Sequence, residues 1–437
     1  MRGHRGLAAV AGLITVGAML AACGGGSGSK SSAAVATGSV EDVGNVSLTW
    51  WHNATADPGK SEWEKVARAY TKAHPNVTFK IVPIQNEQFT SKVPAALESS
   101  NPPSLYQQWG GGAEATQVQS GKLLDMTPQV SGWIDQLGPS AKGWQVDGKW
   151  YGVPYDYHVV GFWYRKDLFA KAGITQPPTT MTDFDADVQK LKAAGIVPVA
   201  IGSKDRWPDA FWWEYFVLRE CSQDTVTSSI ESSSFDDECF TKAGDDLKDF
   251  MATDPFQEGF LGTPAQQGAG SSAGLVANGK AAMELQGDWE MLVMPSLTQD
   301  KDFASKMGWF PFPAVDGGAG DPKAALGGGD GFSCTSKATV ACPDFLKYIT
   351  SAPVQTELVK STTISLPSNP AANGAITNEA AKTALSYLGT VSYNQLYFDQ
   401  ALPTDVGQAL DTAVADFVAG KGSSKDVADS VANSKAP

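Results

Sequence analysis

The stretch Tyr151-Gly152-Val153-Pro154-Tyr155-Asp156-Tyr157-His158-Val159-Val160-Gly161-Phe162-Trp163-Tyr164-Arg165-Lys166-Asp167-Leu168-Phe169 decides the fold. It opens on a Gly-Val-Pro turn, passes through aromatic and polar residues, and becomes a run dense in β-branched and aromatic side chains before Arg165-Lys166-Asp167. That composition predicts a buried strand, and we read it as a strand crossing between two lobes. Polar residues at the mouth of such a strand stand on a rigid support and can face a ligand while the strand stays dry. Tyr155, Asp156, Tyr157 and His158 hold that place. Taken alone, the segment also fits an ordinary core strand with a polar entrance.

The chain on either side has the alternation of an α/β protein. Val46 to Trp51 reads as a strand, followed by the loop Trp51-His52-Asn53-Ala54-Thr55. Ser61 and Glu64 have capping-box spacing, and Trp63, Val66, Ala67 and Tyr70 share one helical face that ends near His74-Pro75. Val77, Phe79 and Ile81 alternate as a second strand, and Phe89, Val93 and Leu97 predict another helix. Gln107-Gln108-Trp109-Gly110-Gly111-Gly112 is a short strand closing on a glycine turn. After the crossing strand, Phe184, Val188 and Leu191 mark a helix that starts at Thr182 and Asp185, Gly195 ends it, and Ile196 to Ile201 is the next strand. Helices between strands call for largely parallel sheets. Ligands of such sheets sit outside the carboxyl ends of the strands, where Trp51, Asn53, Gln108 and Trp109 fall.

Three later segments carry recognition chemistry. Trp207-Pro208-Asp209-Ala210-Phe211-Trp212-Trp213-Glu214-Tyr215-Phe216 places six rings in ten residues, more than one helix face holds, so Trp207 and Trp212 are expected to line a cleft. Gly287-Asp288-Trp289 follows a short apolar strand and presents an acid and a ring at its end. Gly327-Gly328-Gly329-Asp330 is a glycine-rich loop with one acid. It lacks the lysine and the spacing of a phosphate-binding loop, so no nucleotide site is read.

At 437 residues the chain exceeds the size of one core, so two domains or lobes are expected. Thirteen tryptophans exceed the needs of packing, and some should meet a ligand. A net charge of −14 opposes sequence-independent attraction to nucleic acid or an anionic membrane surface. No repeat of 20 to 50 residues occurs, which excludes a solenoid. Arg2, His4 and Arg5 precede the apolar run Leu7 to Leu20, and Leu20-Ala21-Ala22-Cys23 ends it, the pattern of an export signal. Residues 24–44 are a flexible linker, rich at first in Gly, Ser and Ala. Four further cysteines are expected to form disulfides outside the cytoplasm. Three connectivities are open, and the near-neighbour pairs Cys221 with Cys239 and Cys334 with Cys342 are favoured. No metal or cofactor is called for, because neither pair has zinc-ligand spacing and the remaining histidines, His52, His74 and His158, are scattered.

The chain resembles the extracellular solute-binding proteins of ABC importers, in the branch of the maltose-binding protein and oligosaccharide-binding lipoproteins. The resemblance rests on Leu20-Ala21-Ala22-Cys23, which looks like a lipobox; on Leu48-Thr49-Trp50-Trp51; on Trp63 to Pro75 with the Val77 strand; on Gly152-Val153-Pro154 with Phe162 to Phe169; and on Gly279-Lys280-Ala281-Ala282-Met283, Gly287-Asp288-Trp289 and Gly327-Gly328. Ser104 departs from it, where the family often has an acid. The resemblance implies two α/β lobes, residues 45–157 with 312–363 and residues 158–311 with 364–437, joined by crossing segments. It further implies a lipidated Cys23 after a signal peptide of residues 1–23, a monomer tethered to the extracellular face of the membrane, and a transient partner in the importer's permease. Carried over by motif, the sugar contacts would be Trp51, His52, Asn53, Gln108, Trp109, Trp207, Trp212, Asp288, Trp289 and Asp330, to which the crossing stretch adds Tyr155 and Asp156. Xylobiose and xylo-oligosaccharides are the expected ligands. A peptide or polyamine receptor on the same fold is the alternative, followed by a glycoside hydrolase that would need two suitably spaced carboxylates.

Overall fold

A computed structural model describes residues 38–434, giving for 139 and 140 the backbone alone. The export signal, Cys23 and most of the linker lie outside the described residues.

The first strand, β1 (Val46–His52), turns Leu48, Trp50 and His52 inward in strict alternation. A helix over Gly59–Ala73 buries Trp63, Val66, Ala67 and Tyr70, as the periodicity predicts. Its start differs from the predicted capping box: the helix begins after Pro58, and Ser61 lies inside the first turn, its amide donating to Asp57. Strands β2 (Val77–Pro83) and β3 (Leu105–Gln108) pair parallel with β1 on either side. The sheet is completed from far along the chain by β4 (Gly152–Pro154) and the later strand 331–334, giving the order β2, β1, β3, strand 331–334, β4.

The second sheet is built around β5 (His158–Arg165), which is buried along nearly its whole length. Strands β6 (Val197–Ala200), β7 (Ala281–Gly287), β8 (Met307–Phe310), β9 (Ala325–Gly328), β10 (Gly331–Cys334) and β11 (Asn394–Leu396) follow in the chain. β5 runs antiparallel to β7 on one edge and to β8 and β9 on the other, while β6/β7 and β9/β11 are parallel. Both sheets are therefore mixed, where the sequence suggests largely parallel ones. β10, in the first sheet, is antiparallel to β3 and β4. The alternation of strands with helices is present, but the returning segments enter from the opposite direction. Ala325–Gly328, expected in the first lobe, pairs in the second sheet.

The helix Trp207–Glu220 is buried from Pro208 to Glu220 on every side, as an all-round apolar helix must be. Two of its polar side chains, Tyr215 and Arg219, find internal partners. The Tyr215 hydroxyl donates to the Val160 carbonyl and accepts from the Leu326 amide, and the Arg219 guanidinium donates to the carbonyls of Phe312, Pro313, Asp321 and Ala324. Cys221 pairs with Cys239 and Cys334 with Cys342, the near-neighbour connectivity. Between the sheets the chain crosses side by side at Tyr155–Tyr157, at Gly329–Asp330 and near Leu366–Ser368. The Tyr155 amide donates to the Asp330 carbonyl (2.8 Å), the Tyr157 amide to the Leu366 carbonyl (2.9 Å), and the Ser368 amide to the Tyr155 carbonyl (3.3 Å).

Candidate ligand-binding site

Polar residues converge where the crossings meet. Asp156, 3% exposed, accepts the Asp330 amide at 2.7 Å and stands 3.1 Å from His158 Nε2. On its other side the His158 ring meets Asp288 at 3.0 Å through Nδ1, and the same Asp288 oxygen accepts the Val159 amide at 3.0 Å. Burial pushes the Asp156 carboxyl up to about 7 against the opposing pull of His158. Burial works against charge on His158, but Asp156 and Asp288 outweigh it and hold the imidazole well above its usual value. One Asp330 oxygen receives the Tyr155 hydroxyl at 3.2 Å and the Asn53 amide at 3.4 Å. Trp289 sets its ring edge-on to His158, with centroids 5.0 Å apart.

A second group of residues faces across the cleft. Phe89, Gln108 and Trp109 of the first lobe and Asp399, Gln400 and Asp411 of the second line a cavity of about 80 Å³. Pockets for small ligands run to roughly 300–1,000 Å³, so a sugar needs the lobes to part. Gly110 and Gly111, both at positive φ, turn the chain from β3 into the helix Gly111–Gln119. Gln108 spends its side chain locally: the amide nitrogen donates to Gln117 at 2.8 Å and the oxygen accepts the Trp109 amide at 2.9 Å. Burial pushes Asp399 up to about 6. Asp411 is raised well above the usual carboxylate range by burial, then by Asp399 and Asp209.

The residues singled out in the sequence divide between these places. Gln108 and Trp109 line the cavity. Asn53, Tyr155, Asp156, Asp288, Trp289 and Asp330 gather at the crossings, where Asp156 and Asp288 also hold His158 and backbone amides. Trp51 is half-buried on the small cluster containing Phe89 and Tyr106. Trp207 is half-buried beside Phe211 and Trp289. Two expectations are corrected. His52 is fully buried beside Trp50 and Trp63, and desolvation lowers its pKa to about 4. Trp212 is 1% exposed, stacked on Phe250 and boxed by Phe162 and Phe256. His52 lies on the inward face of β1, and Trp212 belongs to a helix enclosed on every side.

The cleft residues missed in the sequence are Tyr397, Asp399, Gln400 and Asp411. Tyr397 stacks on Phe211 and lies 6.3 Å from Trp289. A signal was present: Tyr393-Asn394-Gln395-Leu396-Tyr397-Phe398-Asp399-Gln400 mixes rings with amides in the manner of Gln107-Gln108-Trp109.

Residues 53–356 match the family described as bacterial extracellular solute-binding protein, a family of binding proteins rather than enzymes. An uncharacterized ABC transporter extracellular-binding protein of Pyrococcus horikoshii is 25% identical over 289 residues, 64% of this chain and 62% of that protein. The match thus spans less than two thirds of that relative's length. Among solved structures, one from work on xylan utilization by the thermophilic bacterium Caldanaerobius polysaccharolyticus shares the fold. Its TM-score is 0.81 and its identity 24%, covering 90% of this chain and all of that one. A chitin oligosaccharide binding protein shares it with a TM-score of 0.78 and 23% identity, over 89% of this chain and 98% of its own.

Proposed function

Because the chain belongs to the bacterial extracellular solute-binding proteins, we propose that it captures an oligosaccharide between its lobes and delivers it to the permease of an ABC sugar importer. It does so as a monomer held to the outer face of the cell membrane by lipid on Cys23. Xylobiose and short xylo-oligosaccharides are the preferred ligands. The observation that carries this reading is the lining of the cleft cavity, where Phe89 and Trp109 meet Gln108, Gln400, Asp399 and Asp411. A sugar ring has apolar C–H faces and a rim of hydroxyls, so it needs flat rings together with fixed amides and carboxyls. Closing the lobes over it removes water and shifts the open and closed populations.

The test is titration calorimetry of the chain from Gly24 onward against xylo-, cello-, malto- and chito-oligosaccharides of about two to five units. A dissociation constant near 1 μM, about −8 kcal/mol, for the xylo series is the expected result. Silence across the panel would sink the sugar assignment. One feature favours a second reading: the cavity lining holds Asp399 and Asp411 and neither Lys nor Arg, which suits a polyamine or a basic peptide. Competition by spermidine with none by sugars would establish it.

A further inference from the structure

The crossing cluster holds a combination of groups that sugar recognition leaves unexplained. Three carboxyl groups, Asp156, Asp288 and Asp330, surround the single ring of His158, and among the described residues neither Lys nor Arg is paired with any of them. Asp288 fixes the ring from behind by accepting at Nδ1 (3.0 Å), which aims Nε2 at Asp156 Oδ1 (3.1 Å) and Asp330 Oδ2 (3.8 Å). His158 is 2% exposed, and Nε2 makes no aligned hydrogen bond within the protein. With Nδ1 engaged by Asp288, the ring turns Nε2 toward two carboxylate oxygens, so one nitrogen donor and two oxygen donors face a common point. One donor atom from each of Asp156, His158 and Asp330 lies within 4.8 Å of the others, a spacing that one ion can bridge at metal–ligand distances of about 2.0–2.4 Å after small adjustment.

We propose that Asp156, His158 and Asp330 form a binding site for a divalent transition-metal ion of the zinc or manganese class. One imidazole nitrogen with two carboxylate oxygens is the donor set that such borderline ions take. Asp288 is the outer carboxylate that orients the ligating ring. The three ligands come from two crossing segments and the start of β5, so the ion ties together the strands that join the lobes. Asp330 is the one ligand with partial access to solvent, its side chain 17% exposed, and it is the side from which an ion would enter.

The proposal does not depend on which solute is bound. The test uses the untagged chain from Gly24 onward, dialysed against EDTA and titrated calorimetrically with zinc, manganese and calcium chloride. One equivalent of zinc or manganese is expected, raising the melting temperature. Asp330→Asn, which keeps shape and loses the charge, should weaken binding at least tenfold while retaining the parent's circular dichroism. Cobalt(II) should give visible bands that Asp330→Asn abolishes. No stoichiometric binding of zinc or manganese, binding of calcium alone, or zinc binding that survives both Asp330→Asn and His158→Gln would overturn the site. Sugar titrations run beside these would separate failure of this site from failure of the sugar reading.

Discussion

Gly112 and Leu402 meet backbone to backbone across the cleft: a β-carbon on the glycine would stand 2.4 Å from the Leu402 carbonyl carbon and 2.5 Å from the Ala401 oxygen. No side chain fits in that gap, so the two lobes approach this closely only with glycine at position 112. Gly112→Ala should therefore hold the lobes apart. Small-angle scattering should report a larger radius of gyration, and the affinity for the bound solute should fall at least tenfold. Parent-like values of both would show that the lobes do not close through this contact.

Two tryptophans chosen from the sequence for the same reason should now behave differently. Trp109 lines the cavity, and Trp109→Ala should weaken oligosaccharide binding by about 1–2 kcal/mol with little loss of stability. Trp212 is core, and Trp212→Ala should cost about 3–5 kcal/mol of unfolding free energy. Affinity of the folded fraction should stay as in the parent. Calorimetry and urea unfolding on both variants check the contrast.

Glu114 is fully buried, with Ser333 donating to it at 3.3 Å, and burial pushes its carboxyl up to about 8 from an ordinary 4.5. A folded value above the unfolded one gives stability that is complete below pH 4.5 and is lost as pH rises through 8. His52 has the opposite sign: its folded value of about 4 lies below 6.5, so stability rises with pH across that interval. The two oppose each other in mildly acid solution, and above pH 6.5 His52 drops out, leaving Glu114 among other buried carboxyls with raised values such as Asp156 and Glu290. Between pH 6.5 and about 8 Glu114 should account for a fall in unfolding free energy of about 1.4 kcal/mol per pH unit, and Glu114→Gln should reduce the slope by that amount. An unchanged slope in the variant would remove Glu114 as its source.

The bridge between Cys221 and Cys239 closes a separation of 18 residues, against 8 for Cys334 and Cys342. In the chain-entropy account the longer loop restrains the unfolded state more. Replacing Cys221 and Cys239 together by serine should lower stability by about 2–4 kcal/mol, and replacing the shorter pair by less. Equal losses would point to packing around the sulfurs, since Cys221, Cys334 and Cys342 are all buried.

The elements of the fold were readable wherever burial followed a period. Leu48, Trp50 and His52 alternate inward, and this same alternation shows why His52 could not face a ligand while Trp51 took the other side. The six rings of 207–216 misled because helix amphipathicity assumes one wet face, whereas this helix is enclosed on all sides. Asp156 and Asp288 were found as acids near the site, but that both are engaged by His158 depends on strand pairing between distant segments, which local sequence does not carry. Asp411 of the cavity's second wall was missed because it lies in a C-terminal helix, Thr404–Val418, whose apolar spacing reads as packing.

The order in which the first sheet is assembled bears on how the protein is made. Gly331 pairs with Gln108, 223 residues earlier, and all strands of the second sheet except Asn394–Leu396 lie between them in the chain. On a ribosome, β3 has β1 on one side but stays without its second neighbour until most of the polypeptide has emerged. The early strands therefore cannot complete their sheet until residues 331–334 have been made. Neither lobe is a contiguous piece of the gene, so truncating the coding sequence after either sheet's first strands leaves an unpaired edge instead of a working half.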